Sequence, residues 1–221
     1  MWLRHCLLCE RLQRHYCCQS CWRDVAPYTA TTQPPWSQIL APGGFPCISY
    51  ARYTGEIQQL LYLMKYHGFK ALAYELGERL GEWYLQHWPL PDVIIPVPLH
   101  QSREKTRGYN QSFVMALGLG RKLQRPVIPW VIRTAETPAL YHFTPHERMQ
   151  WLQSAFQIDP QVTLPRALKG TPPSLLIVDD ILTTGSTLNS IAKTLLEVSH
   201  RQVALTLARA DITDPLAFQS V

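Results

Sequence analysis

The sequence comprises 221 residues, of which 46% are hydrophobic and 17% are charged, and its formal net charge is +5. This composition is typical of a packed globular core and excludes an intrinsically disordered chain. The sequence contains no run of about 18 apolar residues and begins without a basic-then-apolar signal pattern, which predicts neither a membrane-spanning helix nor a signal peptide. We therefore expect a cytoplasmic protein without membrane insertion, built from one α/β domain and a small appendage.

Two Cys-x-x-Cys pairs lie close together at the start of the chain, one formed by Cys6 and Cys9 and the other by Cys18 and Cys21. Two such pairs supply the four thiolates of a tetrahedral structural zinc site, which leaves no open position for catalysis. A disulfide framework and a redox pair are the alternatives, and a cytosolic location disfavours the disulfides.

The ligand set of this zinc site is ambiguous in the sequence. Cys17 precedes Cys18 and is a candidate substitute for it, and His5 and His15 are further candidate ligands. Cys47 stands apart and is predicted to be a small buried hydrophobic residue. Because so short a segment buries little apolar surface, zinc is expected to supply the free energy that folds it.

A segment rich in proline, threonine and glycine, residues 27–46, follows the cysteines and is predicted to be a linker. We predict a zinc-binding knuckle with this linker over residues 1–46 and a second domain over residues 47–221. The second domain is predicted to begin with two amphipathic helices, the first starting near Gly55. Their core-facing residues are Ile57, Leu60, Leu61 and Met64 in the first helix, and Leu72, Leu76, Leu80 and Trp83 in the second.

A buried strand over residues 92–98 is predicted to end in a rigid turn, because its two prolines fix the backbone and lack N–H donors. Residues 100–150 then hold eight Lys/Arg against three Asp/Glu, which suits an anionic ligand or a nucleic-acid backbone. A flexible basic loop that serves solubility is the alternative. Lys65, at the end of the first helix, is either a solvated cap or a phosphate contact. The candidate anion-binding residues are Lys65, Pro96, Val97, Pro98, Arg103 and Arg107.

A further apolar strand ends in two adjacent carboxylates, Asp179 and Asp180, and residues 183–187 (Thr-Thr-Gly-Ser-Thr) follow as a bend into a helix. The apolar residues predicted to share one face of that helix are Leu188, Ile191, Leu195 and Leu196. Unpaired buried carboxylates are costly, whereas ribose hydroxyls and hydrated magnesium offer them donors and positive charge. Gly185 permits unusual dihedrals, and a helix start favours a phosphate. An ordinary strand end with a Thr or Ser N-cap is the alternative. The predicted sugar-phosphate site comprises Asp179, Asp180, Thr183, Thr184, Gly185, Ser186 and Thr187, with both carboxylates as magnesium contacts.

Residues 178–187 (VDDILTTGST) resemble the phosphoribosyl pyrophosphate (PRPP) loop of type I phosphoribosyltransferases. Residues 63–68, 95–112 and 205–209, together with the cysteine pairs, narrow the resemblance to the ComF/GntX family of phosphoribosyltransferase-like proteins. The resemblance implies a Rossmann-like, mostly parallel sheet with flanking helices, preceded by the small zinc knuckle. It also implies that the carboxylates contact ribose hydroxyls directly or through magnesium, that residues 183–187 bind the 5-phosphate, and that the basic segment binds pyrophosphate.

The resemblance implies a competence accessory protein that handles incoming single-stranded DNA during natural transformation, with helicase and recombination-mediator proteins as partners. Tyr109, Trp130 and Trp151 are candidate stacking residues for such a strand. The alternatives are an active magnesium-dependent phosphoribosyltransferase of unknown acceptor in nucleotide salvage, and a non-catalytic PRPP or nucleotide sensor. Between Arg133 and Arg148, which fit the family pattern, the expected glutamine is missing, and this departure bears on transferase activity more than on ligand binding. Catalytic residues stay unassigned.

Overall fold

A computed structural model describes residues 3–25, 46–134, 155–163 and 170–210. The strands are β1 (Arg4–His5), β2 (Leu12–Gln13), β3 (Cys47–Arg52), β4 (Val93–Pro96), β5 (Val131–Arg133), β6 (Phe156–Ile158), β7 (Ser174–Leu182) and β8 (Arg201–Arg209). The helices are α1 (Gln19–Asp24), α2 (Gly55–Tyr66), α3 (Lys70–Leu85), α4 (Gln101–Arg107), α5 (Gln111–Leu123) and α6 (Ser186–Thr194), with a 3-10 turn at Leu196–Val198.

The central sheet has four strands in the order β3-β8-β7-β4, and every neighbouring pair is parallel. The apolar run in β7 is buried, as expected for a parallel strand that is covered on both faces. Parallel strands place all their carboxyl ends at one edge, so Pro96 of β4 and the two carboxylates of β7 lie on the same side of the sheet. The predicted mostly parallel sheet with flanking helices is confirmed.

Two hydrophobic clusters cover the two faces of this sheet. One combines β3, β7 and β8 with α2, α3 and α5, and the other combines β4 and β7 with α6 and the antiparallel pair β5-β6. Helices α3 and α5 pack closely because a Cβ at Gly77 or Gly118 would collide with the backbone of the opposite helix. This contact fixes α5, whose first turn lies beside the carboxylates.

The residues predicted to face the core from the helices are buried in the structure with two exceptions, Trp83 and Leu196. The apolar residues expected to face the core in α2 and α3 are buried, apart from Trp83, which is half-buried. In the last helix, Leu188, Ile191 and Leu195 are buried, but Leu196 is 65% exposed. Because α6 ends at Thr194 and the chain tightens into the 3-10 turn, Leu196 leaves the helical face that its spacing predicted.

None of the described helices is long and apolar enough to cross a membrane. Most of the predicted linker, residues 27–46, and the segment containing Arg148 and Trp151 lie outside the described residues. The division into residues 1–46 and 47–221 stays a prediction.

Candidate functional site

The paired carboxylates lie near the carboxyl end of β7, and Asp179 pairs in register with Thr206 of β8. Asp180 is 5% exposed, whereas Asp179 is half-buried. Two like charges in adjacent positions and largely removed from water need compensation by donors or by positive charge.

Asp180 obtains its compensation from two distant segments of the chain. Lys65 Nζ, at the end of α2, lies 3.3 Å from Asp180 Oδ2, and Gln111 Nε2 donates to the same oxygen at 2.9 Å. Lys65 is only 6% exposed, so it is not a solvated helix cap. The structure makes Lys65 the counter-ion of a buried carboxylate, a role that the sequence analysis did not consider.

Asp179 is compensated less completely. Ser112 Oγ donates to Asp179 Oδ1 at 2.8 Å, and the Asp180 backbone N–H donates to the same oxygen at 2.9 Å. Burial and the adjacent charge of Asp180 nevertheless raise the pKa of Asp179 from 3.8 to about 7. A divalent cation beside this carboxylate would favour its charged form, and Asp179 and Asp180 are the residues that could hold it.

Residues 109–112 hold this acid pair in place. The Tyr109 hydroxyl donates to the Met64 carbonyl, next to Lys65, and Asn110 Nδ2 donates to the Val97 carbonyl at 2.9 Å. Asn110 also caps α5, since its Oδ1 accepts the Phe113 N–H. The cap directs the next two residues, Gln111 and Ser112, at the carboxylates. The preference of asparagine for N-caps was the sequence signal that could have located this helix start.

The hydroxylated bend after β7 forms the start of α6, as predicted. Gly185 has φ = 74°, a left-handed conformation that side chains disfavour, and it stands as the N-cap of the helix. Thr184 Oγ1 and Ser186 Oγ are 2.8 Å apart, and both residues are exposed. The first-turn amides of a helix have no intrahelical acceptor, so this bend can bind an anion a few residues from the acid pair.

The predicted anion loop divides between two places. Lys65, Arg103 and Arg107 line an open cleft of about 600 Å³ between the end of α2 and α4. Pro96 and Pro98 line a separate cavity of about 390 Å³ beside the β5-β6 pair.

The Pro96–Pro98 turn has no backbone donor to offer a ligand. Both prolines lack an N–H, and the Val97 N–H donates to the Val178 carbonyl at 2.9 Å. An anion at this turn would have to be held by basic side chains rather than by the turn's backbone.

A third arginine, Arg133 on β5, belongs to the same electrostatic environment. Burial and the positive charge of Arg103 lower the pKa of Arg133, while the charge of Asp179 opposes the shift. The Arg133 guanidinium lies 5.4 Å from the centre of the Phe156 ring on β6. The β5-β6 pair thus brings a basic residue towards the acid pair.

The N-terminal cysteines form a candidate metal centre. The Sγ atoms of Cys6, Cys9, Cys18 and Cys21 all lie within 4.8 Å of one another, and those of Cys9 and Cys18 are 3.7 Å apart. A tetrahedral site with Zn–S bonds of about 2.3 Å requires sulfurs about 3.8 Å apart. Backbone N–H groups of Cys18 and Cys21 point at the Cys6 and Cys18 sulfurs, at 3.3 and 3.4 Å, which stabilises thiolates. The residues present fit zinc.

Cys17 and Cys18, the two alternative ligands that the sequence offers, lie in different environments in the structure. Cys17 lies in the hydrophobic core with no exposed surface, and burial raises its pKa to about 12, whereas Cys18 joins the cluster. His5 Nδ1 lies 2.6 Å from the Glu10 carbonyl oxygen, and His15 lies 3.7 Å from Glu75. Neither histidine belongs to the metal-binding group found among the described residues. Cys47 is buried, as predicted.

The metal centre is attached to α3 by a buried ion pair. Glu75 accepts the backbone N–H groups of Tyr16 and Cys17 at 2.7 and 3.2 Å. Arg79 lies 3.3 Å from Glu75 and donates to the Cys17 carbonyl. The folded knuckle is therefore joined to the helix that packs against α5.

Two of the predicted stacking residues are unsuitable for that role. Tyr109 and Trp130 are each 7% exposed and belong to the hydrophobic clusters, so a base cannot cover their rings. Trp151 lies outside the described residues. Exposed aromatic side chains occur elsewhere, on α2, where Tyr62 and Tyr66 are about half exposed.

The chain is similar to proteins named for DNA utilization and competence. It is 30% identical over 172 residues to DNA utilization protein YhgH of Salmonella typhi, which covers 74% of this chain and 67% of that protein. It is 35% identical over 125 residues to Competence protein F of Haemophilus influenzae, which covers 55% of this chain and 52% of that protein. No protein-family model matches the chain.

Some of the solved structures similar to the chain are phosphoribosyltransferases. A purine phosphoribosyltransferase from Pyrococcus horikoshii has 15% identity and a TM-score of 0.37 over 62% of this chain and 82% of that one. An adenine phosphoribosyltransferase from Saccharomyces cerevisiae has 13% identity and a TM-score of 0.39 over 67% and 72%.

Proposed function

Since the chain belongs to the ComF family of competence and DNA-utilization proteins, we propose that it is a competence accessory protein. In this proposal it binds PRPP with magnesium and handles single-stranded DNA during natural transformation, with helicase and recombination-mediator proteins as partners. The observation that carries the ligand proposal is the incompletely compensated Asp179, next to a helix start with a left-handed glycine.

Each part of PRPP has a matching group of residues in this proposal. Asp179 accepts hydrogen bonds from the ribose hydroxyls, and Asp179 and Asp180 together contact magnesium. Residues 183–187 donate hydrogen bonds to the 5-phosphate. Arg103 and Arg107 bind the pyrophosphate in the cleft that Lys65 also lines. Magnesium held by Asp179 and Asp180 would supply positive charge that offsets the negative charge of the carboxylates and the pyrophosphate. Zinc in the four-cysteine centre is structural, because four sulfurs leave no open position.

A second candidate function is a magnesium-dependent phosphoribosyltransferase. The 390 Å³ cavity beside β5-β6 favours it, since apolar Phe113 and Ile132 and the carboxylate of Asp159 line a space suited to a flat acceptor. A non-catalytic sensor would use the PRPP site alone.

Calorimetry with magnesium and PRPP tests the ligand proposal on the wild-type chain, on Asp179→Asn, and on Glu82→Gln as a matched acidic control. Glu82 pairs with Lys122 on the surface. We expect binding by the wild type and the control, and binding at least tenfold weaker by Asp179→Asn. Absence of heat with the wild type would refute PRPP binding.

A screen of nucleobases and amines for pyrophosphate release from PRPP distinguishes the transferase from the accessory protein and the sensor. Release that depends on an acceptor would establish the transferase. Binding without release in the whole screen supports the accessory protein or the sensor.

A further inference from the structure

Helix α2 presents two exposed tyrosines beside the basic cleft. Tyr62 is 49% exposed and Tyr66 is 51% exposed, and within the described ranges no other Phe, Trp or Tyr side chain reaches this class of exposure. The two rings lie one helical turn apart, with their centres separated by 5.1 Å and their planes inclined by 44°. The pair, called the tyrosine platform here, presents two neighbouring exposed aromatic rings, and the centre of the His67 ring lies 5.3 Å from that of Tyr62.

Basic residues adjoin the tyrosine platform on one side. The Arg107 guanidinium carbon lies 5.7 Å from the centre of the Tyr66 ring, and Tyr66 itself lines the 600 Å³ cleft. Among the described residues that line this cleft, Lys65, Arg103 and Arg107 are charged, and all three are positive. The surface therefore favours a ligand that carries negative charge at intervals and flat groups between the charges.

Single-stranded DNA has this chemistry, because its bases are free to stack and its backbone carries a regular series of phosphates. Resting on the DNA-handling part of the proposed function, we propose that the tyrosine platform stacks two bases of a single strand while Arg103 and Arg107 contact its phosphates, so that the strand and the pyrophosphate of PRPP compete for these two arginines. A duplex fits less well, since its bases are already stacked and paired. An acidic polypeptide would satisfy the arginines but would leave the two ring faces without flat partners.

Fluorescence anisotropy with a labelled dT20 oligonucleotide tests this proposal on the full chain. Tyr62→Ala and Tyr66→Ala are each expected to weaken binding roughly 5- to 100-fold, which corresponds to the loss of one stacked base. Tyr62→Phe keeps the ring and is expected to bind like the wild type. Leu90→Ala is the matched control, because Leu90 is 43% exposed and lies beside the start of β7, at the opposite end of the sheet.

An abasic oligonucleotide of the same length separates stacking from charge. The wild type is expected to prefer dT20 over the abasic strand at least fivefold, and Tyr62→Ala is expected to lose this preference. Arg107→Gln is expected to reduce the dependence of affinity on salt by about one ion, whereas the tyrosine variants keep the wild-type dependence.

Several results would overturn the platform. If the wild type binds dT20 but both tyrosine variants bind as tightly as Leu90→Ala, the platform is wrong and DNA handling stands. If the wild type does not bind dT20, the DNA-handling proposal fails as well. Tighter binding of rU20 than of dT20 would assign the surface to RNA instead. Displacement of dT20 by polyglutamate, if polyglutamate binding is also lost in Tyr62→Ala, would assign the surface to an acidic protein.

Discussion

The cysteine cluster and the acid pair both gather groups that repel one another when charged, but they are assembled in different ways. The four cysteines lie within sixteen residues of one another and are brought together by two short strands and one helix. The acid pair depends on Gln111 and Ser112, which lie 69 and 67 residues away from their partners along the chain. Local spacing therefore suffices to define the first site, whereas the second exists only in the folded protein.

The two sites also differ in how their charge is balanced. In the cysteine cluster, two backbone N–H groups contact the sulfurs, and a bound metal ion would supply the remaining positive charge for four thiolates. The acid pair has a resident cation, Lys65, which compensates Asp180 and leaves Asp179 with a raised pKa. The comparison indicates that metal loss should damage the fold at the first site, while at the second a ligand completes a structure that is already formed.

The largest expected effect is loss of the zinc centre in Cys18→Ser. Removal of one of four ligands should reduce zinc content and lower the free energy of unfolding by more than about 5 kcal/mol, because structural zinc contributes about 10–16 kcal/mol in zinc-finger peptides. Metal analysis and thermal unfolding measure the two effects. Cys17→Ala, a neighbouring buried cysteine outside the cluster, is the control and should keep its metal. The opposite pattern, with zinc lost in Cys17→Ala and kept in Cys18→Ser, would contradict the assigned ligand set.

The next effect concerns the resident cation of the acid pair. Lys65→Met leaves Asp180 buried without its counter-ion, which should lower the free energy of unfolding by about 3–5 kcal/mol. Adding Asp180→Asn removes the unpaired charge and should restore most of the loss. Urea unfolding of the two single variants and the double variant measures this coupling, and purely additive losses would show that the ion pair is not what stabilises this region.

A smaller effect is the pH dependence that Asp179 confers. Its folded-state pKa of about 7 lies above its unfolded value near 3.8, so the folded state binds the proton more tightly. The contribution of Asp179 to the free energy of unfolding should be greatest below about pH 4. It should fall by about 2–4 kcal/mol as the pH rises to 7, at about 1.4 kcal/mol per pH unit.

Asp179→Asn retains an oxygen for Ser112 and for the Asp180 N–H but cannot ionise. Unfolding followed from pH 4 to pH 8 should therefore show this variant gaining stability over the wild type as the pH rises. A difference that does not change with pH would exclude the raised pKa.

The smallest effect is expected in the hydroxylated bend, residues 183–187. Gly185→Ala places a Cβ on a residue with φ = 74° and should lower the free energy of unfolding by about 1–2 kcal/mol. Ser186→Ala, an exposed neighbour, should change it by less than about 0.5 kcal/mol. Denaturant midpoints compare the two, and equal values would mean that the left-handed glycine is not required by the fold.

The sequence predicts the parts of this protein that depend on local patterns. Apolar spacing located α2 and α3, the Asp-Asp pair and bend located the end of β7, and the cysteine pairs located the metal centre. Each of these signals lies within one element or one short loop. The exposed position of Leu196 was not predicted, because helical spacing alone does not show where a helix tightens into a 3-10 turn.

Such local patterns did not predict which residues pair with each charged group. The burial of Lys65 beside Asp180, and the aim of Gln111 and Ser112 at the carboxylates, follow from the packing of α2 and α5 against β7. The division of the predicted anion-binding residues between two cavities likewise follows from the folded structure, in which the Val97 N–H donates to a carbonyl oxygen of the sheet. The exposed tyrosines of α2 lie off the face formed by Ile57, Leu60, Leu61 and Met64, so helical spacing was an available signal for their exposure that the sequence analysis did not use.

The central claim is that Asp179, completed by magnesium and a sugar phosphate, is the ligand-responsive group of this protein. Proton exchange on PRPP binding tests it most directly, by calorimetry at pH 7 in two buffers with different ionisation enthalpies. With a pKa of about 7 in the free protein, binding should release about half a proton more from the wild type than from Asp179→Asn at saturating ligand. Binding with the same proton count in both proteins, or no binding by the wild type, would contradict the account.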